Sequence, residues 1–320
     1  MKPPEFWKTG GALATLLSPL GCLYAWGGAA RLKYGASFDA GVPTICVGNL
    51  TLGGAGKTPV VREIASLLIA QGKRVAILSR GFGGSAQGPV RVDPATHDAA
   101  TVGDEPLLLA TAAPVYVAKD RAAGARAALA DGADCLLLDD GFQSPALKKT
   151  FSIIVVDGGA GLGNGRVFPA GPLREPPEWG IARAHAVVMI GADATGFAAR
   201  HAGGKRLLHA ALAPVSREMA GAKVFAFAGI GRPEKFFASL RDLGCTLAQT
   251  REFADHHPYT RGELEALLRD AAALGAKLVT TEKDLVRIPP DLRPAIATLN
   301  VCLAPEDGAA FAALVREAAR

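Results

Sequence analysis

The order of apolar runs, turns and helical segments predicts an α/β protein: a parallel sheet flanked by helices, a second smaller α/β domain, and an N-terminal apolar, membrane-associating helix. Three observations carry this expectation. Short continuous apolar runs alternate with helical segments along most of the chain, the pattern of a parallel sheet covered on both faces. A glycine-rich segment, Thr51-Leu-Gly-Gly-Ala-Gly-Lys-Thr58, lies between the first such run and the first such helix. Ahead of both, Thr9 to Ala30 carries no charged residue.

At 320 residues the chain has room for two domains of ordinary size. A hydrophobic fraction of 49%, with 6% aromatics, 38 Gly and 21 Pro, excludes disorder, collagen-like repeats and a coiled coil. The net charge of +5, with a pI near 9.0 and a mean hydropathy of +0.22, hints at an anionic, apolar partner. Nucleic acid is a weak candidate for that partner, because no basic run is interleaved with aromatics. Cys22, Cys46, Cys135, Cys245 and Cys302 are widely spaced and form no CxxC pair. They read as reduced core residues of a cytosolic protein, against a disulfide framework or a zinc site.

Taken in order, residues 1–35 form the membrane-associating segment. Lys2 and Lys8 precede the apolar stretch and Arg31 and Lys33 follow it. Pro19 and the glycines at 10, 11, 21, 27 and 28 weaken a single continuous helix, while Trp7, Tyr24 and Trp26 suit an interface. An amphipathic or monotopic anchor is favoured over a single span, a signal peptide or a buried helix. Export would also separate a nucleotide site from cytoplasmic ATP.

Residues 36–214 form the main domain. Pro43–Val47 and Arg74–Leu78 read as strands around a helix from about Lys57 to Gln71, a βαβ unit. Strands follow at Pro114–Ala118, Cys135–Leu138, Phe151–Val156, Ala186–Ile190 and Leu207–Leu212, with a helix at Arg121–Ala130. Gly158–Gly180 reads as a long, functional loop. Residues 215–320 form the smaller domain, which completes a cleft: strands at Lys223–Ala228, Cys245–Gln249, Lys277–Thr281 and Ala295–Leu303, helices at Pro233–Leu243 and Thr260–Leu274, and a final helix to Arg320.

The Thr51–Thr58 segment reads as a phosphate-binding loop, making the main domain P-loop NTPase-like. Its candidate nucleotide-binding residues are Thr51, Leu52, Gly53, Gly54, Ala55, Gly56, Lys57 and Thr58. Successive backbone N–H groups and a helix N-terminus cradle phosphates, Lys57 reaches the β- and γ-phosphates, and the Thr58 hydroxyl ligates Mg²⁺. Thr51 stands where the general pattern has glycine. Asp139 and Asp140 end an apolar strand, which suits a Mg²⁺ site or, more simply, a strand-end turn. Asp104 and His256 are candidates for a carboxylate–imidazole pair that takes a proton from an attacked hydroxyl, with either one orienting the other. Both Asp104 and Asp255 also suit helix caps. Arg80, Lys119, Arg121, Arg174, Lys283 and Arg287 are scattered cations that fit the phosphates of a small or lipid substrate.

The runs Val47-Gly-Asn-Leu-Thr-Leu-Gly-Gly-Ala-Gly-Lys-Thr-Pro59, Ser79-Arg-Gly-Phe-Gly-Gly84, Gly103-Asp-Glu-Pro106, Lys119-Asp-Arg121, Asp139-Asp-Gly-Phe-Gln143, Gly171-Pro-Leu-Arg-Glu175, Phe253-Ala-Asp-His-His257 and Thr280-Thr-Glu-Lys-Asp284 occur in that order. Together they resemble the tetraacyldisaccharide 4′-kinase (lipid A 4′-kinase) family, whose loop lacks the first glycine as this one does. The resemblance implies transfer of the ATP γ-phosphate to the 4′-hydroxyl of a tetraacylated glucosamine disaccharide 1-phosphate, giving lipid IVA. It places the enzyme at the cytoplasmic face of a bacterial inner membrane, with ATP and Mg²⁺ as cofactors, a glycolipid substrate and no obligate protein partner. It also implies that Asp104 and His256 form a catalytic dyad, that Thr58, Asp139, Asp140 and Gln143 organise the metal, and that Arg121, Arg174 and Glu175 line the site. Ser144 stands where that pattern has His. The chief alternative is a membrane-associated P-loop ATPase switch of the partitioning type, which normally carries a signature Lys where this chain has Leu52. A GTPase lacks its base-reading motif here, and a nucleotide-binding scaffold leaves Asp104 and His256 without a task.

Overall fold

The structure, a computed structural model, describes residues 4–320; residues 1–3, among them Lys2 of the N-terminal segment, lie outside the described residues. Two helices come first, α1 (Phe6–Thr9) and α2 (Ala12–Tyr34). There follow β1 (Thr44–Gly48), α3 (Lys57–Ala70), β2 (Val75–Ser79), β3 (Val90–Arg91), α4 (Ala99–Val102), α5 (Asp104–Leu109), β4 (Val115–Val117), α6 (Arg121–Ala130) and β5 (Cys135–Asp139). Next are β6 (Phe151–Asp157), α7 (Pro177–Arg183), β7 (Ala186–Ile190), α8 (Phe197–His201) and β8 (Arg206–Pro214). The remainder comprises β9 (Lys223–Ala228), α9 (Pro233–Asp242), β10 (Thr246–Glu252), α10 (Arg261–Ala273), β11 (Lys277–Thr281), α11 (Glu282–Leu285), β12 (Ala297–Leu299), β13 (Val301–Pro305) and α12 (Gly308–Ala318).

A nine-stranded sheet has the order β13-β8-β7-β6-β1-β5-β2-β4-β3, parallel from β8 to β4 and antiparallel at both edges. Strands β1, β2, β5 and β6 are buried at every position. Val60, Ile64 and Leu68 of α3, with Phe311 and Leu314 of α12, cover one face, and α6 and α7 contribute to the cover on the other. That double cover is why these strands read as unbroken apolar runs. From β1 the chain proceeds toward β2 and β4, whereas from β6 it proceeds the other way to β7 and β8. Ligands of open α/β sheets bind beyond the strand carboxyl ends at such a reversal. Here those ends are Gly48, Asp139, Asp157 and Ile190.

A second sheet, β10-β9-β11-β12, is parallel throughout. Its two faces are covered by Phe236, Phe237 and Leu240 of α9 and by Leu264 and Leu267 of α10. The single strand expected at Ala295–Leu303 is divided at Asn300. Strand β12 pairs with β11, but β13 crosses to pair with β8, and Leu303 and α12 are buried in the larger core. Residues 301–320 therefore belong to the first sheet, a correction to the 215–320 domain. Apolar periodicity identifies a strand but not the sheet that it joins.

The N-terminal helix is continuous despite the residues expected to weaken it: α2 runs unbroken from Ala12 to Tyr34 with Pro19 inside. Proline removes one backbone donor, and docking on residues 164–169 holds the turn. Arg166 reaches Ser18, the Ala14 carbonyl at 3.4 Å and Thr15 Oγ1 at 3.2 Å, and Trp7 Nε1 donates to the Pro169 carbonyl at 3.1 Å. The docked face is small, with Ala14, Gly21 and Ala25 buried. The opposite face carries Leu13, Leu16, Leu20, Leu23 and Trp26, with Leu16 75% and Trp26 73% exposed. A methyl group at Gly21 would lie 2.8 Å from the Val167 carbonyl oxygen, whereas one at Gly27 would meet nothing within 4 Å. Gly21→Ala should therefore cost about 1–3 kcal/mol by overpacking, and Gly27→Ala should gain up to about 1 kcal/mol of helix propensity. Thermal unfolding of the two variants checks this, and equal midpoints would contradict the docking.

Candidate active site

Helix α3 begins at Lys57 behind Gly56, which sits in the left-handed region at φ +83°. No side chain caps this N-terminus, so its free N–H groups and positive dipole end face the cleft. A side chain at Gly56 would also strike Ile190 Cδ1 at 2.6 Å. Fully buried Asn49 shapes the loop: its Nδ2 donates to the Thr51 carbonyl at 2.9 Å and to that of Gly53 at 3.3 Å. Its Oδ1 accepts from Lys57 Nζ at 3.1 Å, and the same ammonium lies 3.6 Å from Asp140 Oδ1. Leu52, Gly53, Gly54, Ala55, Gly56, Lys57 and Thr58 all line a cleft of about 1120 Å³. Thr51 does not, because it turns to bridge Leu173.

Asp139 and Asp140 have different surroundings despite being neighbours. The Asp140 carboxylate accepts from Arg174 Nη1 at 2.8 and 3.0 Å, and its carbonyl accepts from Arg121 at 2.8 Å. Burial opposes its charge, but Lys57, Arg174 and Arg121 outweigh burial and hold this carboxyl below the usual range. Asp139 is buried, and its carboxylate has no hydrogen-bond partner among the described residues. Burial first, and the Glu105 carboxylate next, push it up to about 7. Gln143 lines the cleft, yet its Nε2 donates to the Asn49 carbonyl at 3.0 Å and to Glu175 at 2.9 Å, while its Oε1 takes Arg174 at 3.3 Å. This amide braces the loop through both of its ends. Glu175, expected in the lining, lies behind the wall, 5% exposed and paired with Arg183 at 2.8 Å.

Across the cleft, Asp104 opens α5 and His256 follows β10, and the structure brings His256 Nδ1 to 3.0 Å from Asp104 Oδ2. His256 lines the cleft, whereas Asp104 is buried behind it. Burial by itself raises the Asp104 carboxyl. The His256 contact and the charges of Lys283, His256 and Arg287 outweigh that and hold it below the ordinary carboxylate range. Asp104 begins its helix behind Gly103, and α10 is capped by a Thr260–Glu263 capping box, so neither cap proposed for Asp104 or Asp255 is formed. Among the described residues only Asp140 and His256 are non-glycines with positive φ, at 52° and 58°. Such conformations gather at functional sites.

Several contacts at this cleft, two of which join the two sheets, are not foreseen from the sequence. Asp157 ends β6 as Asp139 ends β5, and it accepts from Arg232 at 2.9 Å and Lys235 at 2.5 Å. Arg62 of α3 pairs with Glu282 at 2.9 Å, and Arg31 of α2 donates to the Gln143 carbonyl at 2.9 Å. A carboxylate that terminates an apolar strand was the available signal for Asp157. No comparable sequence signal marks the cross-cleft pairs.

A family profile described as tetraacyldisaccharide-1-P 4′-kinase matches residues 13–320. The chain is 52% identical over 317 residues to the tetraacyldisaccharide 4′-kinase of Rhodospirillum centenum, covering 96% of this chain and 94% of that one. The chain belongs to the tetraacyldisaccharide 4′-kinase family. The kinase of Paramagnetospirillum magneticum is 50% identical over 306 residues, covering 95% of this chain and 94% of that protein. Among solved structures, the "apo" form of LpxK from Aquifex aeolicus in complex with ATP superposes with a TM-score of 0.75 at 27% identity, covering 97% of this chain and all of that one. The family is an enzyme family, so the partitioning-type switch is not favoured.

The Asp139 carboxyl supplies a test of the kinase's electrostatics. Its folded value, about 7, lies above the unfolded 3.8, so the folded state binds the proton more tightly and loses stability as pH rises through that window. Asp139→Asn should therefore raise the thermal midpoint of the nucleotide-free enzyme by a few degrees at about pH 8, with the gain fading toward about pH 5. A gain that is the same at both pH values would contradict the assigned cause.

Proposed function

We propose that the groups gathered at this cleft carry out the family's reaction, the ATP-dependent phosphorylation of the 4′-hydroxyl of tetraacyldisaccharide 1-phosphate in lipid A biosynthesis. The supporting observation is that the uncapped α3 N-terminus, the partner-free Asp139 carboxylate and the His256 ring all open into one cleft. The backbone N–H groups of Gly53 to Lys57 hold the ATP phosphates, and Lys57 turns from Asn49 and Asp140 toward the β- and γ-phosphates. The Nε atoms of Arg121 and Arg174 are buried without partners among the described residues, donors that suit an anion next to Asp140.

A hard divalent cation fits the donor set of Asp139, whose carboxylate meets no donor among the described residues, and the Thr58 hydroxyl at the start of α3. Asp140 stands beside them, already paired with Arg174. Asp139 and Thr58 would hold Mg²⁺ there, and the ion would supply neutralisation of the phosphate charge. The acceptor hydroxyl approaches from the dyad side. His256 presents Nε2 to the cleft and takes the hydroxyl proton, and Asp104 orients the ring through Nδ1. The transfer asks the protein mainly for positioning and charge neutralisation, which these residues supply.

The exposed apolar face of α2 lies on the same molecule as the bound Arg31–Gln143 contact at the cleft. We place that face in the cytoplasmic leaflet of the inner membrane, monotopically, where both ATP and an acylated substrate are within reach. Replacing Leu16 and Leu23 by Glu should weaken binding to anionic phospholipid vesicles by about tenfold or more. Turnover of detergent-dispersed substrate should persist, and unchanged vesicle binding would refute the anchor. In an assay with ATP, Mg²⁺ and the disaccharide 1-phosphate, the parent should form a bisphosphorylated product. Asp104→Ala and His256→Ala should each lower its rate by about 10² to 10⁴ with ATP binding retained; near-parental rates in both would remove the dyad.

A further inference from the structure

In the Thr280-Thr-Glu-Lys-Asp284 run, Lys283 is paired with Glu105, which gives it a neighbour other than the phosphates the sequence suggested, and the polar side chains of the run tie the cleft together. Thr281 Oγ1 donates to Asp284 Oδ2 at 2.6 Å and caps α11. Asp284 is fully buried, and its Oδ1 accepts from the Gly229 N–H at 2.9 Å, Tyr259 Oη at 2.7 Å and Arg287 Nη2 at 2.9 Å. This locked turn aims three side chains at separate partners. Glu282 meets Arg62 on the P-loop helix, and Arg287 Nε lies 3.4 Å from Asp104 Oδ2. Between them, Lys283 Nζ lies 3.1 Å from Glu105 Oε1 and 3.3 Å from His256 Nε2.

We propose that Lys283 is a positioning residue for phosphoryl transfer: its ammonium donates to His256 Nε2 and fixes the neutral ring with its proton on Nδ1, facing Asp104. An ammonium has protons to give and no lone pair, so the ring nitrogen that it touches must be the bare one. The other nitrogen then carries the hydrogen and faces Asp104 Oδ2 at 3.0 Å, as the bond at one ring nitrogen dictates the state of the other. The same contact leaves Nε2 as the acceptor atom of the ring. Glu105 holds the ammonium from the other side and gives it a place to remain when an acceptor hydroxyl comes to Nε2. The groups that face this ring are Asp104 from α5, Lys283 from α11, Asp255 Oδ1 at 3.8 Å from Nε2 in the same loop, and the edge of the Phe82 ring with centroids 5.4 Å apart. Lys283 is the cation in direct contact with the ring, so the balance of the ring's two states depends on it.

The inference rests on the dyad reading, but the two fail separately, because the tautomer is read without turnover. Nitrogen-15 NMR of the imidazoles in the full chain, with His256 assigned by its loss in His256→Gln, should show a proton on Nδ1 and a bare Nε2 at about neutral pH. A proton on Nε2 would overturn the proposal. In kinetics, Lys283→Met should move the acid limb of kcat/KM for the lipid acceptor to higher pH by about one unit or more, the scale of a lost neighbouring charge. KM for ATP should stay close to the parent's, and Lys283→Arg, which keeps the cation, should return the limb toward its parental position. Acid limbs of Lys283→Met and parent that coincide would overturn it. If Lys283→Met does not fold, the NMR measurement on the unmodified protein still decides.

Discussion

The constraint on which the rest of the molecule depends is the bare N-terminus of α3. A helix start with no side-chain cap leaves backbone donors unpaired, and an anion is their natural partner. The sheet order puts this helix start at the point where the strand connections reverse, so Gly48, Asp139, Asp157 and Ile190 surround it as neighbouring strand ends. Parallel strands must be covered on both faces, which is why α3, α6 and α12 are where they are. The cleft at the carboxyl ends follows from that cover.

Around the helix start, charges are held in opposed sets. Lys57 and Arg174 hold Asp140, Lys283 holds Glu105, and Arg232 with Lys235 holds Asp157. Asp139 is the exception. Its lack of a partner leaves burial to push its carboxyl up to about 7, a poor state for structure and a suitable one for a cation. In the low dielectric of a narrow cleft each of these pairings is strong, and an incoming phosphate or metal changes several at once. The cleft is therefore lined by a network most of whose members already neutralise one another.

The smaller sheet contributes by reaching across. Its α9 supplies cations to Asp157, and its β11–α11 turn supplies Glu282, Lys283 and Arg287 to α3, Glu105 and Asp104. The last strand and helix return to the larger sheet, so the smaller unit is tied at both ends to the body that it faces. At the other side of the cleft, α2 presents small residues inward and large apolar ones outward. It links an exposed apolar surface to the loop of Gln143 through Arg31.

The amino-acid sequence by itself determined much of this protein. Unbroken apolar runs marked strands buried on both faces, and the Gly53-to-Thr58 spacing marked a phosphate loop, because both depend on local backbone geometry. The motif series carried the family, and pointed to Asp104 and His256. Which side chains meet was decided only by the tertiary structure. Asp139 and Asp140 are adjacent in sequence, yet one is paired and the other is not, since pairing depends on where Arg174 and Lys57 arrive. Glu175 and Gln143 brace the wall for the same reason. The helix through Pro19 persists because residues 164–169 hold it, and Val301 leaves the sheet of its sequence neighbours because β8 offers an open edge. Lys283 gains its task only when α11 is brought against His256, a contact between residues 27 positions apart. Local chemistry fixes what a segment can be, and long-range packing fixes what it touches.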